Sequence, residues 1–358
     1  MAWRMRIAWV PALSLLVSVI TAPEVLGADA AGGLRAMCYA PVELQARKGE
    51  ERPEKRRHDY DKPAAARALA TFEPIDPALR GAIRRVKLPA GSPKLIALTF
   101  DLCEQHGEIA GYDGAIVDYL RANGIKATFF TGGKWMRSHG ERTRQLMSDP
   151  LFEIGSHSEA HRNLRLLSGA ALAEEVAGPQ RSYEAARQEL QGHQCIAQHA
   201  TLAERVPSRL SLFRFPYGAC NAQSLKAVND AGLLAIQWDV STGDPSPMQS
   251  ARAIGQALLR SKPGSIAVMH ANGRGHHTAE ALPLALPQLK ARGFEFVTLS
   301  ELLAAGTPEV VSSCYDSRPG DTDKYDMPML SQQPLAKRAG DKTTRDKVTG
   351  AKKAATKE

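Results

Sequence analysis

The sequence lacks three features that would place it in familiar protein classes. No Cys-x-x-Cys occurs among its five cysteines, which argues against a zinc ribbon. No stretch combines basic with aromatic residues in the manner of a nucleic-acid groove. After the first 30 residues, no apolar run is long enough for a stable membrane span. With 358 residues, 43% of them hydrophobic, the chain can form one large domain with extensions, or two small domains.

The positive charge is concentrated at one end of the chain. The net charge is +8, and Ala336–Glu358 contributes +5 of it through eight Lys/Arg and three Asp/Glu. We therefore expect no nucleic-acid partner. Residues 305–358 are predicted to be a C-terminal extension, disordered from about residue 331, because few apolar side chains are available there to bury. Its basic end predicts at most loose contact with anionic envelope polymers.

The N-terminus has the pattern of an export signal. A short basic stretch ends at Arg6, the apolar run Ile7–Ala22 follows, and small residues offer cleavage after Gly27 or Ala30. An uncleaved anchor is the alternative, but the run is short and Pro11 interrupts it. We expect residues 1–30 to be removed and the protein to be periplasmic or extracellular. An oxidising compartment permits disulfides, although the odd number of cysteines leaves at least one thiol over.

The remainder of the chain divides into a connector and an α/β domain. Residues 31–93 are rich in charge and proline and predict a solvated connector, with short helices near Ala64–Phe72 and Pro77–Arg85. From residue 94 to 304, seven short apolar runs alternate with helical patterns, which predicts a closed or nearly closed parallel α/β barrel. Gly192–Ser208 is longer than a βα connection requires and is predicted to be an insertion. The runs are Leu95–Phe100, Ala127–Thr131, Phe152–Gly155, Leu212–Pro216, Leu234–Trp238, Ile266–His270 and Phe294–Leu299.

Titratable residues recur where these runs end, which is the rim that carries active sites in such barrels. Asp101 ends the first run, His157 and His161 follow the third, and His270 ends the sixth. Two histidines four positions apart can share a metal when they lie on one side of a helical turn. That pair alone is a weak signal, because helices often carry such histidines by chance.

Five ordered motifs make the chain resemble the polysaccharide deacetylases of carbohydrate esterase family 4, the NodB-like domain. The resemblance covers roughly Lys94 to Ala304 and implies a distorted (β/α)7 barrel. The motifs are Thr-Phe-Asp (Thr99–Asp101), Gly-Ser-His-Ser-x-x-His (Gly155–His161), Arg-x-Pro-Tyr-Gly (Arg214–Gly218), Trp-Asp-x-x-x-x-Asp (Trp238–Asp244) and Ile-x-Val-x-His (Ile266–His270).

The resemblance implies a role for each matching residue. Asp101 matches the general base, oriented by Arg214, and His270 matches the general acid, supported by Asp244. His157 and His161 match the two metal-binding histidines. Tyr217 matches the residue whose backbone N–H holds the oxyanion, whereas Trp238 is either a sugar platform or ordinary barrel packing. The metal implied is divalent, with zinc preferred and cobalt, nickel or manganese compatible with the ligand types.

The sequence departs from the family at the third metal ligand. The family usually has a second aspartate after the base, but here Leu102 stands in that place and cannot bind a metal. We predict that Glu104 replaces it. Asp113, Cys103 as a thiolate, or a two-histidine site completed by water remain alternatives. For the disulfides we predict Cys103–Cys220 and Cys38–Cys314, with Cys195 left over.

The function implied is metal-dependent hydrolysis of N-acetyl groups from an amino-sugar polysaccharide. Two other functions stay open. One is a degenerate domain that binds glycans without turnover, which only Leu102 favours. The other is a related amidase acting on a small non-peptide C–N bond, which the export signal disfavours.

Overall fold

The computed structural model describes residues 33–56, 59–65, 74–197, 204 and 206–326. The predicted signal peptide, most of the helix expected near residues 64–72 and the tail expected to be disordered from about residue 331 lie outside these residues. No helix in the described part of the chain combines the length and hydrophobicity that a membrane span requires.

A single, mostly parallel sheet organises the chain. Nine of its strands lie in the order β10-β1-β6-β5-β4-β3-β2-β8-β7, and β9 pairs with the first half of β2; only the β1–β10 pair is antiparallel. All seven predicted runs form strands of this sheet, as β2–β6, β8 and β9. In the described residues the strands are β1 (Ala82–Lys87), β2 (Lys94–Leu102), β3 (Ala127–Thr131), β4 (Phe152–Ser156), β5 (Leu212–Phe213), β6 (Leu234–Ile236), β7 (Val240–Ser241), β8 (Ile266–His270), β9 (Phe294–Val297) and β10 (Thr307–Val311).

Helices cover the outside of the curved sheet. The segment between the third and fourth runs contains one helix of 23 residues, α6 (Gly169–Gln191), whereas the segment between the second and third runs contains two helices, α4 (Gly133–Ser138) and α5 (Gly140–Ser148). The described helices are α1 (Gly33–Cys38), α2 (Pro41–Leu44), α3 (Gly114–Ala122), α4 (Gly133–Ser138), α5 (Gly140–Ser148), α6 (Gly169–Gln191), α7 (Gln194–Ala197), α8 (Ala222–Asp230), α9 (Ala251–Leu258), α10 (Thr278–Ala291) and α11 (Leu299–Ala304).

The central strands are buried on both faces, which explains their continuous apolar sequences. On β3, Phe129 stacks with Phe100 at 5.4 Å between ring centroids and meets Phe152 edge-on at 5.1 Å, on the side that faces the helices. Its neighbour Phe130 points the other way, into the barrel, where the guanidinium of Arg214 lies 4.0 Å from its ring. Alternate side chains of one strand therefore form the outer core and line the interior.

The sheet extends beyond both ends of the predicted domain. Strand β1 lies in the region predicted to be a connector, where a helix was expected over Pro77–Arg85, and β10 lies where regular structure was predicted to stop. Adjacent arginines obscured β1 in the sequence. Arg84 is nevertheless buried, because it donates to the carbonyl oxygens of Tyr315 at 2.5 Å and Asp316 at 2.7 Å. Strand β10 lies at an edge, where Pro308 is tolerated.

The charged N-terminal segment contacts the domain at specific points, although most of its described residues are exposed. Both guanidinium nitrogens Nε and Nη2 of Arg142 contact the Glu50 carboxylate at 2.7 Å, and Arg142 is only 2% exposed. A backbone bridge between Glu54 and Ile109 fixes the same segment beside the loop that follows β2. Glu50 is thus part of a largely buried ion pair, whereas the ion pairs of the neighbouring arginines are exposed, a difference that composition alone could not reveal.

Both predicted disulfides are wrong. The bridges are Cys38–Cys195 and Cys220–Cys314, with Cα separations of 5.2 and 5.3 Å, inside the normal range. Cys195 is therefore paired, and Cys103 is the free, buried thiol. Cys220 does lie near the active-site rim as expected, but the chain after β10 returns to that rim and supplies its partner.

Candidate metal and catalytic site

A cavity of about 550 Å³ lies at the carboxyl ends of the strands. Two of the predicted site residues do not line this cavity: Arg214 lies directly behind it, and Glu104 lies elsewhere. The predicted site residues that do line it, with Cys103, are Asp101, His157, His161, Tyr217, Trp238, Asp244 and His270.

The two histidines of the second motif follow β4 in a tight loop and not in the predicted helical turn. Ser158 and His161 both adopt positive φ (63° and 52°), and the His161 backbone N–H donates to Ser158 Oγ at 3.1 Å. The loop brings the two imidazoles together, with 5.0 Å between ring centroids. The sequence spacing was therefore a correct guide to proximity but not to the backbone conformation.

Both imidazoles are suited to binding a metal. His157 Nδ1 lies 2.9 Å from the carbonyl oxygen of Arg214, and a donated N–H there leaves the Nε2 lone pair free. His161 Nδ1 is buried and has no hydrogen-bond partner among the residues that the structure describes, which is costly unless something binds it. Burial lowers the pKa of both histidines, so both favour the neutral form that ligates metals.

Asp101 forms a buried ion pair next to this histidine pair. Its Oδ1 accepts a hydrogen bond from Arg214 Nη1 at 2.8 Å, and its Oδ2 lies 3.4 Å from His157 Nε2. Arg214 is fully buried and also donates to Thr99 Oγ1 at 2.7 Å. Burial alone would raise the pKa of Asp101, but the neighbouring His157 and Arg214 groups outweigh it, and the net effect is a lowered pKa.

His270 forms a second acid–base pair on the neighbouring strand. It is the register partner of Asp101 across β2 and β8, so the two side chains leave the sheet on the same face. His270 Nδ1 lies 3.0 Å from Asp244 Oδ1, and Asp244 Oδ2 accepts from the His270 backbone N–H at 2.7 Å and from Thr278 Oγ1 at 2.8 Å. Although burial lowers the pKa of His270, the Asp244 carboxylate outweighs it and the pKa is raised.

Comparison with known proteins identifies the family to which this domain is related. Residues 89–236 match the family model for polysaccharide deacetylase. Residues 89–236 form a polysaccharide deacetylase domain. The resemblance seen in the five motifs is thus confirmed, and with it the enzyme class, a hydrolase of carbon–nitrogen bonds other than peptide bonds.

Curated relatives and one solved structure agree with this assignment. The chain is 28% identical to a chitooligosaccharide deacetylase of Azorhizobium caulinodans over 56% of its own length and 90% of the relative's. It is 30% identical to a peptidoglycan-N-acetylglucosamine deacetylase of Listeria monocytogenes over 61% of its length, but spans only 41% of that protein. A CE4 family pseudoenzyme from Bacillus anthracis superposes with a TM-score of 0.51 at 24% identity, covering 63% of this chain and 69% of that one. That similarity confirms the predicted barrel fold and concerns the fold alone.

The structure corrects the predicted third ligand of the deacetylase domain. The Glu104 carboxylate is buried in a separate cluster, where Oε2 accepts from the Ala110 N–H at 2.9 Å and from Ser138 Oγ at 2.7 Å. Its Oε1 lies 3.4 Å from Lys134 Nζ. The other carboxylate considered, Asp113, also does not line the cavity.

The physical reason is the alternation of side chains along an extended chain. Asp101 faces the cavity, so residues 102 and 104 face the opposite side and residue 103 faces the cavity again. Leu102 is accordingly fully buried in the outer core, and Cys103 lies beside the histidines. Glu104 was predicted because metals commonly bind carboxylates, but the alternation of side chains directs Cys103 toward the histidines instead.

Tyr217 and Trp238 form the aromatic part of the cavity wall. Tyr217 has a positive φ of 61° and places its ring edge-on to His161, with 4.6 Å between centroids. The oxyanion role of its backbone N–H stays a prediction. Trp238 is 6% exposed and its Nε1–H donates to Asp316 Oδ1 at 2.9 Å. Trp238 is therefore mainly packed, with one edge at the cavity.

One wall of the cavity comes from a segment for which the sequence predicted no role. Asp316, Asp321, Lys324 and Tyr325 line the cavity, and the Tyr325 ring lies 5.0 Å from that of Tyr217. The Cys220–Cys314 bridge ties this segment to the loop of the third motif. The signal available in the sequence was Cys314, which lies shortly before a group of aromatic and acidic residues.

Proposed function

We propose that this protein removes N-acetyl groups from an amino-sugar polysaccharide, with a divalent metal held at His157 and His161. The observation that carries this proposal is the pairing of Asp101 with Arg214 and of His270 with Asp244 in one cavity beside two neutral histidines. A domain that only binds glycans has no need for two separately tuned acid–base groups. The names of the two curated relatives support an N-acetylated amino sugar as the substrate.

The chain's own residues divide the work of amide hydrolysis. Asp101, kept ionised by Arg214, accepts the proton of the attacking water. Asp244 accepts a hydrogen bond from Nδ1–H of His270 and stabilises the doubly protonated ring, so that the second proton, on Nε2, is the one delivered to the departing amine. When bound, the divalent cation supplies Lewis-acid activation of the amide carbonyl and of the water.

We also propose that the protein acts outside the cytoplasm. The N-terminal pattern of residues 1–30 supports export, and the two disulfides, Cys38–Cys195 and Cys220–Cys314, support an oxidising compartment. In that setting the basic tail would contact anionic envelope polymers. Cell fractionation of a strain that produces the protein with a C-terminal epitope would show in which compartment it lies. A purely cytoplasmic location would refute export.

A substrate panel tests the proposed reaction directly. Purified protein is incubated with N-acetylglucosamine oligomers, with peptidoglycan fragments and with small aliphatic amides, and acetate and new primary amines are measured. Equal amounts of acetate and amine from the sugars alone are the expected result. Turnover of small amides alone would favour the amidase alternative. Binding of the oligomers without acetate release would favour a degenerate glycan-binding domain.

The pairing of Asp244 with His270 predicts a shift in the pH profile. The general acid must be protonated, so activity falls as the pH rises through the pKa of His270. Asp244 raises that pKa, and we expect Asp244→Asn to move the alkaline limb of kcat/KM to lower pH, besides reducing the rate. The measurement is kcat/KM for an N-acetylglucosamine oligomer across the pH range.

A matched control separates charge from packing in this experiment. Thr278→Val removes a hydrogen bond to Asp244 but leaves the carboxylate in place, and it should leave the alkaline limb close to its wild-type position. An unchanged alkaline limb in Asp244→Asn would remove His270 from the role of general acid.

A further inference from the structure

Cys103 occupies the position from which a third ligand would complete the histidine pair. One ligand atom from each of Cys103, His157 and His161 lies within 4.8 Å of the other two. All three residues line the cavity, and Cys103 is 4% exposed. Asp101 and Cys103 are two residues apart on an extended chain, so both point to the same side.

The disulfide pattern leaves this thiol available. The other four cysteines of the chain are joined in two bridges, whereas Cys103 is unbridged. Burial protects the protonated thiol from oxidation, so Cys103 remains available as a free thiol even in an oxidising compartment.

A hydrogen bond to the sulfur provides independent support. Asn272 Nδ2 lies 3.1 Å from Cys103 Sγ and 2.9 Å from the Cys103 carbonyl oxygen, so one buried amide group donates toward both. A thiol is a weak acceptor, whereas a thiolate is a strong one. Donors of this kind commonly orient metal ligands from behind and are themselves buried, as Asn272 is.

The balance of charge around the site also favours Cys103 as a ligand. Two neutral histidines leave a divalent cation without negative charge from its ligands. The Asp101 carboxylate is already paired with Arg214, and Glu104 is held near Lys134. Among the described residues, a Cys103 thiolate would be the anionic ligand whose donor atom lies within 4.8 Å of both histidines.

Building on the proposed function, we propose that Cys103, as a thiolate, is the third protein ligand of the metal, together with His157 and His161. The thiol loses its proton to solvent as the sulfur–metal bond forms, so the bound unit carries one positive charge. Burial keeps the free thiol protonated, but a coordinating cation deprotonates it. Three protein ligands with an open fourth position are typical of catalytic zinc, for which both histidine and cysteine are common ligands, and the soft sulfur favours zinc or cobalt over manganese.

Cobalt substitution tests this ligand without any substrate. Cobalt-loaded wild type should show an intense thiolate-to-cobalt charge-transfer band in the near ultraviolet. Cys103→Ser should lose that band and bind zinc more than ~100-fold more weakly, above the 10–100-fold loss seen for residues that only support ligands. Glu104→Gln is the matched control and should keep the band. X-ray absorption of zinc-loaded wild type should show one sulfur at about 2.3 Å, and needs no variant that might misfold.

The outcomes separate this proposal from the proposed function. A cobalt-loaded wild type without the band, a zinc shell of only nitrogen and oxygen, or a band retained in Cys103→Ser would each overturn thiolate ligation and leave the deacetylase proposal standing. Wild-type protein that binds neither zinc nor cobalt would overturn the metal site as a whole.

Discussion

Replacing both His157 and His161 by alanine is expected to abolish metal binding and to reduce acetate release to background. The two imidazoles are buried at the same cavity with lowered pKa values that favour the neutral form, and within the described part of the chain His161 Nδ1 has no hydrogen-bond partner. Without them, Cys103 is the only member left of the group of three that could hold the ion. Metal content after dialysis and the initial rate of acetate release are the two measurements.

The control must show that the loss comes from ligation and not from misfolding. His277 is exposed and lies outside the cavity. Its backbone φ is positive, a conformation that asparagine also adopts, so His277→Asn replaces a histidine without straining the backbone. It should retain full metal content and rate. Since His157 also contacts the Arg214 carbonyl, thermal melting of the double variant should be recorded. Wild-type activity in a folded double variant would end the metal interpretation.

Asp101→Asn is expected to lower kcat by ~10²–10⁴, the usual scale for loss of a general base. The side chain keeps its shape and its place beside Arg214, but an amide cannot accept the proton of water at neutral pH. KM should change much less than kcat, because the cavity and the histidine pair remain. The measurement is steady-state kinetics on an N-acetylglucosamine oligomer at saturating metal.

Stability has to be followed in the same variant. Asparagine leaves the buried Arg214 guanidinium without its opposite charge, and breaking a buried pair in this way commonly costs about 3–5 kcal/mol. Asp239→Asn is the matched control, since this aspartate lies beside Ser265 and does not line the cavity. Its kcat should stay near the wild-type value. An Asp101→Asn enzyme that is folded and retains its kcat would transfer the role of base to another group.

The sequence predicted the barrel well because its central strands are buried on both faces. Runs such as Ala127–Thr131 are short, apolar and bounded by helical patterns, and each became a strand. The ends of these strands then predicted which side chains meet, as for Asp101 and His270, which are register partners. Edge elements were harder to recognise. Strand β1 contains two adjacent arginines, and only the segment after Cys314 explains how one of them is buried.

The errors in the site have a common physical origin. We predicted Glu104 as a ligand because it is a carboxylate, and we predicted a Cys103–Cys220 bridge because both cysteines follow site motifs. Neither argument considers the direction in which a side chain points. The extended backbone after Asp101 sends Glu104 toward Lys134 and Cys103 toward the histidines. The true partner of Cys220 lies 94 residues away, in a segment whose return to the rim no local pattern encodes.

Acetate release by metal-depleted and reloaded protein tests the central claim most directly. The protein is stripped with a chelator, dialysed, and assayed on an N-acetylglucosamine oligomer before and after addition of one equivalent of zinc. We predict background acetate from the stripped protein and recovery of the initial rate at one zinc per chain. A full rate in protein verified to be free of metal, or no acetate from protein that has bound one zinc, would contradict the account.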